Sequence, residues 1–260
     1  MRKSGWPCRL NTSRERRNEH REGLQLKPSS LTAIGFDADD TLWQNEQFFR
    51  LTERRFAELL CDHAESEDLL RRLLEAEKRN LNIYGFGIKG FVLSMIETAI
   101  EVTDGAVPAK IIGEILAAGR EMLGHPIEPL PHAREAIEAL TGAYRLILIT
   151  KGDLFDQERK LAQSGLGELF DAIEIVSDKT AATYERIFSR HADGPGRALM
   201  AGNSLKSDVV PAIEAGAWGV YVPHDLTWVL EHVDEPVDAP RFRRLEHLGQ
   251  LPELIRRIEE

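Results

Sequence analysis

The chain has 260 residues, a formal net charge of -10, 42% hydrophobic residues and 29% charged residues. That length supports a full core and a second, smaller domain, and the balance excludes fibrous and wholly disordered classes. The charge is uneven. Positions 1–30 carry a local +5, so the remainder is at -15, an acidic body that argues against a nucleic-acid partner.

Positions 1–30 show no amphipathic repeat and read as a basic, disordered extension. They lack the apolar core of a secretory signal. No apolar run approaches the ~20 residues that span a bilayer, so no membrane partner is expected. Cys8 and Cys61 have neither disulfide-framework nor metal-ligand spacing, which fits a reducing, cytoplasmic setting.

In chain order, the first strand is expected at Leu31–Phe36. It ends abruptly in Asp37-Ala38-Asp39-Asp40-Thr41. From about Asn45 to Gly124 no strand is legible. Helical patterns run over Gln47–His63, Glu67–Asn80, Gly90–Val102 and Pro108–Leu123. Pro126, Pro129 and Pro131 then mark a return to alternating structure. A helix is expected at His132–Thr141, a strand at Arg145–Thr150, and a helix at Leu154–Ser164 closed by Gly165. A strand at Ala172–Val176 precedes a helix at Ala181–His191. A strand at Ala198–Ala201 precedes a helix at Leu205–Ala215, and Trp218–Val222 is the last strand read. These strands are continuous apolar runs, as expected where both faces are buried. The fold class is therefore α/β, a doubly wound parallel sheet with an all-helical insert after the first strand. The core takes 31–44 and 125–260, and the helical insert takes 45–124.

Polar clusters fall where these strands end: Asp37 and Asp39; Thr150-Lys151-Gly152; Lys179; and Gly202-Asn203 with Asp208. In an open parallel sheet such ends converge on one crevice. Two carboxylates, a hydroxyl, an ammonium and an Asn/Asp pair there suit phosphoryl transfer, which needs cations against phosphate oxygens and fixed donors.

Those four clusters resemble the four ordered motifs of the haloacid dehalogenase superfamily, over about Leu31 to Val222, with the helical insert where that family carries its C1 cap. The resemblance implies that Asp37 is a nucleophile forming an aspartyl-phosphate and that Asp39 is the general acid and base. It also implies that Thr150 and Lys179 bind the phosphoryl group. Mg²⁺ would be held by Asp37, the Asp39 carbonyl, Asn203 and Asp208. An acid at Asp39 favours a phosphomonoester over a halide, which leaves without a proton.

One departure stands out. The family's fourth motif reads Gly-Asp, whereas this chain has Gly202-Asn203, one charge short. Within the insert, Tyr84–Gly90 reads as a glycine-rich loop whose Lys89, with Lys151 and Gly152, is a candidate for substrate contact. A small phosphorylated substrate is the expected partner, for a monomer or homodimer. A mutase, a phosphonate or haloacid hydrolase, and a phospho-accepting domain are the alternatives. The tail beyond Val222 yields no assignment.

Overall fold

A computed structural model describes residues 31–260. The expectation for positions 1–30 lies outside them. Six strands form one sheet in the order β3-β2-β1-β4-β5-β6, with every pairing parallel. They are β1 (Ala33–Phe36), β2 (Arg145–Lys151), β3 (Ala172–Val176), β4 (Ala198–Gly202), β5 (Trp218–Tyr221) and β6 (Phe242–Arg244).

β1 is central and fully buried. The chain runs outward from it in both directions, so the order reverses between β1 and β4. That reversal is where a doubly wound sheet opens a crevice. Successive side chains alternate between two cores. Ile34, Phe36, Leu146, Leu148 and Leu199 pack on one face, whereas Ala33, Ile147, Ile149 and Met200 pack on the other.

The first core is closed by α5 (Ala133–Leu140) and α9 (Leu251–Glu259), with Leu161 of α6 (Leu154–Ser164). Gly165 caps α6 with a left-handed φ of 66°. The second core is closed by α7 (Ala181–His191), through Tyr184, Ile187 and Phe188, and by Ala212 of α8 (Val210–Glu214).

Four helices follow β1 before β2 begins: α1 (Glu46–Leu59), α2 (Ser66–Tyr84), α3 (Ile88–Val102) and α4 (Ala109–Gly124). They bury a core of their own, built on Phe56, Leu60, Leu69, Leu73, Phe91, Met95 and Ile115. The expected helices are present with shifted ends.

Two features depart from the sequence reading. The expected helix at Leu205–Ala215 is a π-helical turn at Leu205–Val209 followed by the short α8. The unassigned tail supplies β6 and α9. β6 has only three residues, too few to show a period, whereas α9 carries Leu251, Leu254, Ile255 and Ile258 at helical spacing, a signal that the sequence reading missed.

Candidate active site

Asp37 leaves the end of β1 with its N–H donating to the Ala201 carbonyl at 2.9 Å, which fixes it at the crevice between β1 and β4. Its carboxylate is 6% exposed. The Thr41 hydroxyl donates to Oδ2 at 3.0 Å, and Lys179 Nζ donates to Oδ1. Lys179 also donates to Asp208 Oδ1 at 2.6 Å, so one buried ammonium bridges two buried carboxylates. Burial and the Asp208 charge push the Asp37 carboxyl up to about 7, against the pull of Lys179. The Lys179 ammonium is raised above the ordinary lysine range, because the two carboxylates outweigh its burial.

Asp208 is wholly buried and acts behind Lys179. Its Oδ2 accepts from the Ser204 N–H at 2.9 Å. Gly202 makes room for it, since a Cβ there would lie 2.3 Å from Asp208 Oδ2. No side chain fits at that position without moving the carboxylate.

Asp39 has partners that sequence reading missed. Trp43 Nε1 donates to Oδ1 at 2.7 Å and Gln157 Nε2 to Oδ2 at 2.8 Å. Lys160 Nζ donates to both oxygens, at 2.9 and 3.1 Å. Burial raises the Asp39 carboxyl, but the Lys160 ammonium and these hydrogen bonds outweigh it and hold the group below the ordinary carboxylate range. Gln157 and Lys160 lie one turn apart on α6, both buried. A Gln and a Lys on the buried face of an amphipathic helix were the available signal, since buried polar groups need partners. Asp40 does different work. It has a left-handed φ of 61° and accepts from the Asn45 and Glu46 N–H groups, capping the start of α1.

Asn203 sits against the same oxygens. With its nitrogen facing them, the amide donates to Asp37 Oδ2 at 3.1 Å, to the Asp39 carbonyl at 3.2 Å and to Thr41 Oγ1 at 3.2 Å. Turned over, Asn203 Oδ1 takes that place beside Asp37 Oδ2 and the Asp39 carbonyl. Neighbouring ligands of an octahedral ion with bonds of about 2.1 Å stand roughly 3.0 Å apart. The Asn203 position, 3.1 Å from Asp37 Oδ2 and 3.2 Å from the Asp39 carbonyl, matches that spacing, so Asn203 Oδ1 could share a small hard cation with either oxygen. Asp208 is engaged elsewhere.

Thr150, at the end of β2, lines the crevice, and its hydroxyl has no hydrogen-bond partner among the described residues. Lys151 and Gly152 line it too. Lys151 is already engaged: Nζ donates to Ser207 Oγ at 2.7 Å and to Glu231 Oε1 at 2.6 Å, and lies 4.1 Å from the Phe86 ring centroid. Glu231 also accepts from Ser204 and Ser207. It comes from the loop between β5 and β6, where no sequence pattern pointed to it.

The structure brings together Asp37, Asp39, Thr150, Lys151, Gly152, Lys179, Asn203 and Asp208. It does not bring in Lys89, which lies on exposed α3 surface and pairs with Asp153 at 2.9 Å, joining the helical insert to the start of α6. The far wall of the cavity is formed by α1, α2, α3 and the loop carrying Trp228.

A family model described as a haloacid dehalogenase-like hydrolase matches residues 31–216. A haloacid dehalogenase-like family hydrolase from Xanthomonas campestris superposes with a TM-score of 0.80 at 42% identity, over 91% of this chain and 95% of that one. The HAD-hydrolase YfnB of Bacillus subtilis, solved bound to magnesium, shares the fold with a TM-score of 0.61 at 17% identity, over 87% and 99%. A glyceraldehyde 3-phosphate phosphatase of Methanothermobacter thermautotrophicus is 24% identical over 239 residues, covering 86% of this chain and all of that one.

Proposed function

The chain belongs to the haloacid dehalogenase-like hydrolases, and from that premise we propose that it hydrolyses a small phosphomonoester through an aspartyl-phosphate on Asp37. The observation that carries this reading is Asp39, a second carboxylate two residues beyond Asp37 and in the same cavity. A halide leaves without a proton, whereas an alkoxide needs one. The curated relative named as a glyceraldehyde 3-phosphate phosphatase supports a phosphate ester as substrate.

Charge on the bound phosphate opposes the pull of Lys160 and lets Asp39 hold a proton; a carboxylate oxygen of Asp37 attacks phosphorus, the bond to the ester oxygen breaks, and Asp39 gives that oxygen its proton. Water then attacks the aspartyl-phosphate and returns a proton to Asp39. The bond to Asp37 breaks and inorganic phosphate leaves. Thr150 donates to a phosphoryl oxygen, and Lys179 offsets charge as it builds. Asp37, the Asp39 carbonyl and Asn203 would hold Mg²⁺, which would supply further positive charge against the phosphoryl group.

The Lys160 contact favours ionised Asp39, the form that activates water. In Lys160→Met, burial dominates and the Asp39 carboxyl rises. Where hydrolysis of the aspartyl-phosphate limits turnover, the acidic limb of the kcat–pH profile is expected to move to higher pH. An unmoved limb means that Asp39 is not the base.

Asn203→Asp restores a charge beside Asp37, worth about 1 kcal/mol for partly exposed groups. The Mg²⁺ concentration giving half-maximal rate is expected to fall roughly fivefold. An unchanged Mg²⁺ titration places Asn203 away from the ion. The reading as a whole is tested by phosphate release from p-nitrophenyl phosphate and a panel of metabolite esters, with Mg²⁺ and with chelator. Repeated turnovers that require Mg²⁺ are expected. At most one phosphate per chain would indicate an acceptor instead of an enzyme.

A further inference from the structure

Building on the phosphatase reading, we propose that the substrate's leaving group carries a protonated amine, seated among Glu46, Glu53 and Glu77 on the helical wall of the cavity. The substrate class is then the phosphate ester of an amino alcohol or an amino sugar.

The first support is the lack of a free cation. Among the described residues lining the cavity, Lys179 is committed to Asp37 and Asp208, Lys160 to Asp39, and Lys151 to Glu231. A leaving group bearing a carboxylate or a second phosphate would have to break one of these pairs. Glu231 already occupies the anion position made by Lys151, Ser204 and Ser207.

The second is Glu77. It lines the cavity from α2, is 9% exposed, and its carboxylate makes neither a hydrogen bond nor an ion pair among the described residues. Arg50 reaches this wall from α1. It is divided between Glu46 at 3.0 Å and Glu53 at 3.2 Å, with a further donation to the Thr227 carbonyl. Two carboxylates thus share one guanidinium, and Glu77 stands beside them outside its ion-pair reach. Burial, reinforced by Glu53 and Glu46, pushes the Glu77 carboxyl up to about 8, and burial pushes Glu46 up to about 7. Such carboxyls take up a proton when no cation reaches them, and an arriving ammonium replaces that proton with a fixed charge.

The third is the character of the remaining wall. Phe49 and Phe91, whose ring centroids lie 5.0 Å apart, and Trp228 line the same space. Aromatic rings in such a wall can take a cation against their faces.

The test compares kcat/KM within two pairs: O-phosphoethanolamine against phosphoglycolate, and glucosamine 6-phosphate against glucose 6-phosphate, with p-nitrophenyl phosphate as the control ester. The amine is expected to lead by about tenfold or more in at least one pair, the scale of a charge-assisted hydrogen bond. Glu77→Gln and Glu53→Gln are each expected to shrink that ratio towards one, with melting temperatures checked against the parent. An amine preference in neither pair, or a ratio unmoved by both variants, overturns the inference. If p-nitrophenyl phosphate is hydrolysed while the ratios stay near one, the phosphatase reading stands and this inference alone fails. If no ester is hydrolysed, both fall.

Discussion

Asp37→Asn is expected to lower phosphate release by roughly 10⁴-fold or more, the scale on which removing a nucleophile acts. Asp39→Asn should slow turnover by roughly 10²- to 10⁴-fold, because it removes only proton transfer. The two losses have to be separated from misfolding, and the electrostatics of Asp37 allow that. Its folded-state carboxyl lies at about 7, above its unfolded value of 3.8. Such an acid stabilises the fold while protonated at low pH, and that contribution is lost as pH rises from 3.8 towards 7. An amide carries no such cost. In chelator at pH 8, the thermal midpoint of Asp37→Asn should therefore stand no lower than that of the parent. A variant that is inactive but equally stable identifies lost chemistry. Near-parent turnover would remove Asp37 as nucleophile.

Lys179→Met is expected to be both inactive and unstable. It takes away the one ammonium between Asp37 and Asp208, two carboxylates almost fully shielded from water. Breaking a buried pair on one side costs about 3–5 kcal/mol, because the charge left behind is unpaired. Two such charges remain here, so the upper end is expected at pH 8. On a domain of this size that is roughly a 10 °C fall in melting temperature. The sign with pH follows from the same linkage. Without Lys179 the Asp37 carboxyl, already pushed up to about 7, rises further, so the variant recovers stability as pH falls and Asp37 takes up a proton. Thermal melts in chelator at pH 5 and pH 8 decide the point. A pH-independent loss would mean that packing of the lysine stem, not its charge, is what matters.

Both variants act on residues legible in the sequence, and that legibility has a reason. Apolar runs such as Leu146–Ile149 can be recognised as buried strands because burial on both faces demands continuous hydrophobicity. The parallel sheet then requires that residues just past each strand meet, so Asp37, Thr150, Lys179 and Asn203 could be grouped without any structure. The helical insert was legible from its period. In the tail β6 was not, because its three residues are held by their pairing to β5 and not by any pattern of their own.

Individual side-chain partners were out of reach. Lys89 was a plausible substrate contact on a glycine-rich loop, yet the start of α6 presents Asp153 to it and claims its charge. Lys151 follows Thr150 at a strand end, yet Glu231, eighty positions later, neutralises it. Nothing local in the sequence couples those positions.

The fold class, the place of the crevice and the residue types that converge there are all readable from the amino-acid order, because hydrophobic period and strand direction are properties of short segments. How the charges are shared follows from the three-dimensional packing: Lys160 with Asp39, Glu231 with Lys151, and Glu77 with no ion-pair partner among the described residues. Coulombic pairing depends on distance in space. Whether a carboxylate near this cavity is neutralised, protonated or left to receive a cation is fixed by packing between elements far apart in the chain.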